Sequence, residues 1–281
     1  MAVAPGLRDD RLAGLLRSIG GFLAQHKSPL LARGYVQLLT RAIPRREFPA
    51  TDLSGHRQLI DTRDQMGANA LVGRYRLPPA VAGGVRPGDW VIDCGANIGI
   101  ITSQLCAAVG PLGAVWACEP MPDNVHRLEL LKSENDLDQL RILACAIGSQ
   151  PGTISIGLPP PGHSGWASIT KSFGVADHAT VEVETLDRLA EASAPTDRPL
   201  RLLKIDVEGY EFEVLAGAKA VIEAHHPLIY CEFNDILLRD RGRSSLELLA
   251  TLAELGYRPS AIHAALVERL PGRVVNLLLE A

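Results

Sequence analysis

No uninterrupted apolar run approaches the roughly 18 residues that a membrane-spanning helix needs, so no membrane span is expected. A secretory leader is not expected either, because Arg8, Asp9, Asp10 and Arg11 interrupt the opening residues before an apolar stretch can form, which favours a cytoplasmic location. Cysteine is scarce: Cys94, Cys106, Cys118, Cys145 and Cys231 are an odd five without a CxxC pair, and four lie in or beside apolar strand-like runs. That usage predicts buried, reduced thiols and argues against a disulfide framework or a redox pair. Basic residues gather only at Arg45-Arg46 and from Arg239 to Arg243, and the formal net charge is −4, so there is no cationic face for nucleic acid. The last absence is a glycine. Gly95 and Gly99 bracket Ala96, Asn97 and Ile98, whereas the dinucleotide fingerprint G-x-G-x-x-G needs glycine where Asn97 stands. That glycine lets the backbone approach a pyrophosphate, so its lack points to a nucleotide cofactor without one. S-adenosyl-L-methionine is the common candidate.

What the chain does contain is an ordinary globular composition, with 47% hydrophobic and 21% charged residues, enough to bury a sizeable core. Leu12, Leu15, Leu16, Ile19 and Leu23 repeat at helical spacing and Pro44 stops the pattern, which predicts an N-terminal helical extension over residues 1–50. A strand and linker segment follows over 51–87: residues 47–75 alternate around glycines as short strands or a hairpin do, and 78–87 is broken by proline and glycine. Residues 88–281 then alternate between strand and helix. Strands are expected at 90–94, 114–118 and 140–146, with helices at 98–109 and 122–134, an order that implies a parallel sheet with right-handed crossovers. Strands at 153–156 and 180–184 flank a Gly/Pro/Ser-rich loop over 157–174, of the kind that forms binding loops or lids. The alternation resumes with a strand at 200–205, a helix at 211–224, a strand at 228–231 and a helix at 244–255. The last two strands, near 257–263 and 273–279, suit an antiparallel pair.

Ligands in an open parallel sheet bind beyond the carboxyl ends of the strands. Asp93, Gly95, Ala96, Asn97 and Gly99 at the end of the first strand are therefore candidate cofactor contacts. Glu119 and Pro120 follow the second strand, where a carboxylate can accept both ribose hydroxyls, and Ala146 and Ile147 end the third with small apolar surface for an adenine ring. Asp206, Glu208 and Glu232 follow the next two strands. Asp206 and Glu232 are the candidate catalytic acids, as base or as groups that orient an acceptor, and Glu208 faces the substrate. Glu211 and Glu213 fit better as first-turn acids of a helix. The 157–174 loop adds His163, Ser164, Trp166 and Ser168 as candidate substrate contacts. Its Gly162-His163-Ser164-Gly165 falls short of G-x-S-x-G because Trp166 stands in the last glycine position.

Gly95-Ala96-Asn97-Ile98-Gly99, Glu119-Pro120, Val183-Glu184-Thr185-Leu186-Asp187 and Lys204-Ile205-Asp206-Val207-Glu208-Gly209-Tyr210-Glu211 together resemble the ordered landmarks of the FkbM-type methyltransferases over about residues 70–235. The resemblance implies a class I, Rossmann-like α/β fold: a seven-stranded, mostly parallel sheet with helices on both faces. It also implies S-adenosyl-L-methionine as methyl donor and methylation, most often of oxygen, on a natural product, sugar or glycolipid. The acceptor would then be a small molecule or glycan, with a homodimer possible through the N-terminal extension. Asp206, Glu232 and Asn234 are similar to the oxygen set that holds Mg²⁺ in catechol-type O-methyltransferases, which makes Mg²⁺ a second candidate cofactor. Two alternatives stand beside this reading. One is an N-methyltransferase on the same fold. The other is an NAD-dependent oxidoreductase, against which stand the missing glycine and the lack of a Tyr-x-x-x-Lys pair.

Overall fold

A computed structural model describes residues 47–71, 75–158 and 178–281 of the 281. Most of the expected N-terminal helical extension lies outside these residues. The described chain opens with an antiparallel hairpin of β1 (Glu47–Thr51) and β2 (Arg57–Asp61), as the glycine-spaced alternation predicts. Helix α1 (Gln65–Leu71) follows, and the segment expected to be a linker holds a short helix, α2 (Pro79–Gly84), started by proline at its first position. The core then alternates β3 (Trp90–Cys94), α3 (Ile100–Val109), β4 (Ala114–Cys118), α4 (Pro122–Glu134) and β5 (Leu140–Leu143). A side layer contains β6 (Ala146–Ile147), β7 (Gly152–Gly157) and β8 (His178–Glu184). The chain returns through α5 (Leu186–Ser193), β9 (Leu200–Ile205), α6 (Glu211–Ala216), α7 (Lys219–His225), β10 (Leu228–Asn234), α8 (Asp235–Asp240), α9 (Ser245–Glu254), β11 (Arg258–Pro259) and β12 (Val274–Glu280).

Seven of these strands form one sheet in the order β11-β12-β10-β9-β3-β4-β5. β5, β4, β3, β9 and β10 run parallel, while β12 is antiparallel to both β10 and β11. This is the expected seven-stranded α/β fold. Every residue of β3 is buried, as a central parallel strand requires, and successive side chains feed opposite faces. Trp90, Ile92 and Cys94 pack with Leu203, Val214, Ile222 and Leu248 on one face; Val91 packs with Leu105, Val109, Leu128 and Leu131 on the other. Helices therefore cover both sides. Each fully buried aliphatic side chain contributes roughly 1.5–3 kcal/mol. All five cysteines are buried and free.

The strand expected near 257–263 is only the two-residue β11, and three further elements differ from the sequence expectation for local reasons. The strand expected at 140–146 breaks in two because the Cys145 N–H donates to the Leu143 carbonyl at 2.8 Å, folding the chain at Ala144. Ala146 and Ile147 consequently leave the main sheet and pair with β8. The helix expected at 211–224 is interrupted at Gly217, whose backbone lies so close to Gly148 that a Cβ would sit 1.9 Å from its carbonyl oxygen. The Gly217 carbonyl accepts from Asp187 N–H, and the Asp187 carboxylate accepts from Ala220 and Val221 N–H, so Asp187 restarts the helix as α7. Finally, β10 runs three residues past Cys231. Its parallel partner β9 stops at the Cys231–Ile205 pair, but β12 continues opposite Glu232, Phe233 and Asn234. Glu232 and Asn234 are thus strand residues.

Candidate active site

The carboxyl ends of β3, β4, β9 and β10 open into a cavity of about 200 Å³. One end is built by the Gly95–Gly99 turn. Gly95 sits at φ +79°, and a Cβ there would lie 1.8 Å from the Asp206 carbonyl oxygen; Gly99 sits at φ +87° against Leu128 and Leu131. Both positions need glycine, one for sheet contact and one for helix contact. Asn97, at φ +51°, tolerates the left-handed region.

Glu119 fastens this turn to the next one. Its Oε2 accepts from Asn97 N–H at 2.8 Å, and its Oε1 accepts from Met121 N–H at 3.0 Å and Asn124 Nδ2 at 3.2 Å. Burial raises the carboxyl above its ordinary value, and these three hydrogen bonds oppose the rise. Three of its roughly four acceptor sites are occupied, leaving room on Oε2 for a ligand hydroxyl. Ala96, Pro120, Ala146 and Ile147 line the same cavity.

Asp93 does not. It is fully buried behind the turn, where Oδ2 accepts from Thr102 Oγ1 at 2.7 Å and Oδ1 lies 2.9 Å from Lys204 Nζ. Its role is to anchor α3 and Lys204, which corrects the expectation of a direct cofactor contact. The sequence names Lys204 only as the first residue of a motif and gives it no role, although a lone lysine inside Leu-Arg-Leu-Leu-Lys-Ile is a visible signal. Its ammonium also donates to the Gly95 carbonyl at 3.2 Å and reaches Asp206 Oδ2 at 3.4 Å. Burial works against the charge, but Asp93 and then Asp206 outweigh it and hold the ammonium above its ordinary range.

The opposite end of the cavity is acidic, lined by Asp206, Glu208 and Glu232. Glu208 is held at φ +53°. Burial, followed by the charges of Asp206 and Glu211, pushes its carboxyl up to about 8, with Lys204 opposing. Glu232 rises well above the usual carboxylate range through burial first, then Asp206, Glu208 and Glu211. Asn234, grouped with these acids in the sequence reading, instead caps α8 by accepting from Leu237 N–H at 3.4 Å and does not line the cavity. Glu211 and Glu213 do occupy the first turn of α6, but Glu211 is fully buried and accepts from Gly209 N–H at 3.0 Å, while Glu213 pairs with Arg241 at 2.6 Å. Met66 and Tyr75, from the segment before the core, complete the wall together with Tyr210 and Ile156. No motif marked Met66 or Tyr75, because they reach the cavity through tertiary docking. His163, Ser164, Trp166 and Ser168 lie outside the described residues.

Residues 93–259 match the family described as the Methyltransferase FkbM domain. The chain belongs to the FkbM methyltransferase family. A curated relative, methyltransferase sdnD of Sordaria araneosa, is 29% identical over 189 residues, covering 54% of this chain and 73% of that protein. The crystal structure of methyltransferase FkbM from Methylobacillus flagellatus KT is 18% identical, with a TM-score of 0.40 over 80% of this chain; the chain spans about half of that protein's length, 52%. Fibrillarin of Aeropyrum pernix, solved with S-adenosyl-L-methionine, is 12% identical with a TM-score of 0.42, covering 86% of each chain. The FkbM match begins at Asp93, so Met66 of α1 and Tyr75 beyond it, both of which line the cavity, precede it. Among the described residues no helix is long and apolar enough to cross a membrane.

Proposed function

We propose that this FkbM-family chain is an S-adenosyl-L-methionine-dependent methyltransferase that methylates a hydroxyl of a small-molecule natural product or glycan. The observation that carries the reading is the convergence of the Gly95–Gly99 turn, Glu119 and the acids Asp206 and Glu232 on one cavity. The residues present suit the methyl donor: the Gly95 turn lines the cavity, and Glu119 keeps an acceptor site for a ribose hydroxyl. Ala96 and Asn97 would flank it with backbone, Pro120 would border Glu119, and Ala146 and Ile147 offer apolar surface to its adenine; Gly99, expected as a cofactor contact, packs against Leu128 and Leu131 and does not line the cavity. When bound, the donor supplies an electrophilic methyl group on a sulfonium.

The chain's own residues do the rest. Displacement at the methyl carbon needs the acceptor oxygen held in line behind it, and such positioning contributes up to about 7–11 kcal/mol in well-aligned reactions. Asp206, fixed by Lys204, takes the proton of the acceptor hydroxyl. Glu232, whose burial favours the neutral form, orients the acceptor, and Glu208 borders it. In this reading residues 88–281 form the catalytic domain and 51–87 contribute a wall. Methyl transfer from deuterated-methyl donor to a panel of polyhydroxylated acceptors, read by mass spectrometry, tests it. A labelled O-methyl product whose formation falls at least about a hundredfold in Asp206→Asn supports the proposal. A product labelled on nitrogen, or undiminished turnover in that variant, overturns the hydroxyl acceptor or the assigned base.

A further inference from the structure

Part of the cavity wall comes from before the family core: Met66, in the first turn of α1, and Tyr75. Both are held firmly. Asp64 Oδ1 accepts from Met66 N–H at 2.7 Å and starts α1, which lies so close to β2 that a Cβ at Gly67 would stand 2.2 Å from the Asp61 carbonyl oxygen. Tyr75 is clamped to α3: Gln104 Nε2 donates to its carbonyl at 3.1 Å and to that of Ile100 at 3.0 Å, while Gln104 Oε1 accepts from Leu77 N–H at 2.8 Å. Ile100 and Ile101, in the first turn of α3, line the cavity too. None of these four side chains is charged, and the Tyr75 hydroxyl is their one strong hydrogen-bonding group. A second cavity, of only about 10 Å³, lies between the hairpin and α3, and Tyr75 and Ile100 border both. It has room for no more than a water, so Tyr75 acts as a partition that ends the larger cavity.

The groups that suit the methyl donor are Glu119 and residues 95–97, 120, 146 and 147, which leaves this wall to the acceptor. A sugar laid against it would lose water from several hydroxyls at a surface that replaces few of those hydrogen bonds, whereas a carbon skeleton gains from the same burial. We propose that Met66 and Tyr75 select the acceptor: its hydroxyl is carried on an apolar body, alicyclic or aromatic, that packs against this wall, and Tyr75 limits the length of that body. This rests on the reading of the cavity as a methyl-transfer site and narrows the acceptor from a glycan to an apolar alcohol. Contact with this non-reacting part of the acceptor helps to hold its oxygen in line.

The test is calorimetric titration of the full chain with S-adenosylhomocysteine and then, with that product bound, with naphthol, the longer phenylphenol and methyl glucoside. Naphthol is expected to bind at least about tenfold more tightly than methyl glucoside. Met66→Gln, which keeps the side-chain length, should weaken naphthol at least about threefold, and Tyr75→Ala, by opening the partition, should move the preference at least about fivefold toward phenylphenol. Thermal melts check that the variants fold, and Tyr75→Leu replaces Tyr75→Ala if the latter does not. Methyl glucoside binding as tightly as naphthol, no naphthol binding, or naphthol affinity and preference unchanged in the folded variants overturns the proposal and leaves the methyltransferase reading standing. An equal loss of S-adenosylhomocysteine affinity in the variants also overturns it, because the wall would then belong to the donor. Failure of the unaltered chain to bind S-adenosylhomocysteine overturns the broader reading instead.

Discussion

Lys204 is the residue on which the cavity's two ends depend. It holds the buried carboxylate of Asp93, the Gly95 carbonyl and the carboxylate of Asp206 together. Removing one partner of a buried pair leaves an uncompensated charge and typically costs about 3–5 kcal/mol, so Lys204→Met is expected to lose that much stability in urea denaturation. Adding Asp93→Asn should recover part of it, because the orphaned charge is then gone. Gly95→Ala tests the neighbouring turn. A side chain at φ +79° with its Cβ 1.8 Å from the Asp206 carbonyl forces β3 and β9 apart, and a loss above about 2 kcal/mol is expected, together with loss of S-adenosylhomocysteine binding. An unchanged melt in Gly95→Ala would show that the turn has room the structure does not give it.

At the scale of elements, α8 shows how one carboxylate ties distant segments. Asp235 accepts from Ser245 N–H at 2.9 Å, Gly272 N–H at 2.7 Å and Arg239 Nε at 2.7 Å, joining α8 to α9 and to the turn before β12. Burial opposes its ionisation, but these donors outweigh it and hold the carboxyl down at about 2. A depressed folded value means the stabilisation is complete above the ordinary value of 3.8 and is lost as pH falls toward about 2. Asp235→Asn should therefore cost roughly 2 kcal/mol at pH 7, and its denaturation midpoint should approach that of the unaltered chain as pH drops toward 2. A gap that stays constant across that range would assign the loss to packing. The main strands and helices were legible because each carries its own period and its own start signal, such as Pro122 at the head of α4. The breaks at Ala144 and Gly217 were not, since each depends on a backbone contact made by a distant or folded-back segment. Asp187 is the instructive residue: within the Val-Glu-Thr-Leu-Asp motif it looked like a landmark of the family, and the structure gives it the task of capping α7.

For the whole molecule, the FkbM core does not close its cavity alone. The hairpin of β1 and β2 is fastened to α3 by Asp52, whose Oδ2 accepts from Ser103 and Gln58, while Gln58 also donates to the Gly99 carbonyl at 3.2 Å and His56 Nδ1 meets Ser103 Oγ at 2.8 Å. Arg127 on α4 donates to the Leu59 carbonyl at 2.9 Å from the other side. The segment that looked like a connection into the core is thus docked on the Gly95–Gly99 turn, and Asp52→Ala is expected to cost roughly 2–3 kcal/mol in urea denaturation. The glycine turn and the acid that fastens it were legible at Gly95, Gly99 and Glu119 because glycine spacing and strand-end acids are local signals. Met66 and Tyr75 were not, and Asp93 was given the wrong contact, because which side of a turn a carboxylate faces is decided by its partners. The central claim is that this turn binds a methyl donor and not a dinucleotide. Calorimetric titration with S-adenosylhomocysteine, set against NADH, tests it most directly: one S-adenosylhomocysteine per chain, weakened at least about tenfold in Glu119→Ala by the lost hydrogen bonds, is the predicted result. Tight NADH binding with no S-adenosylhomocysteine binding would contradict it.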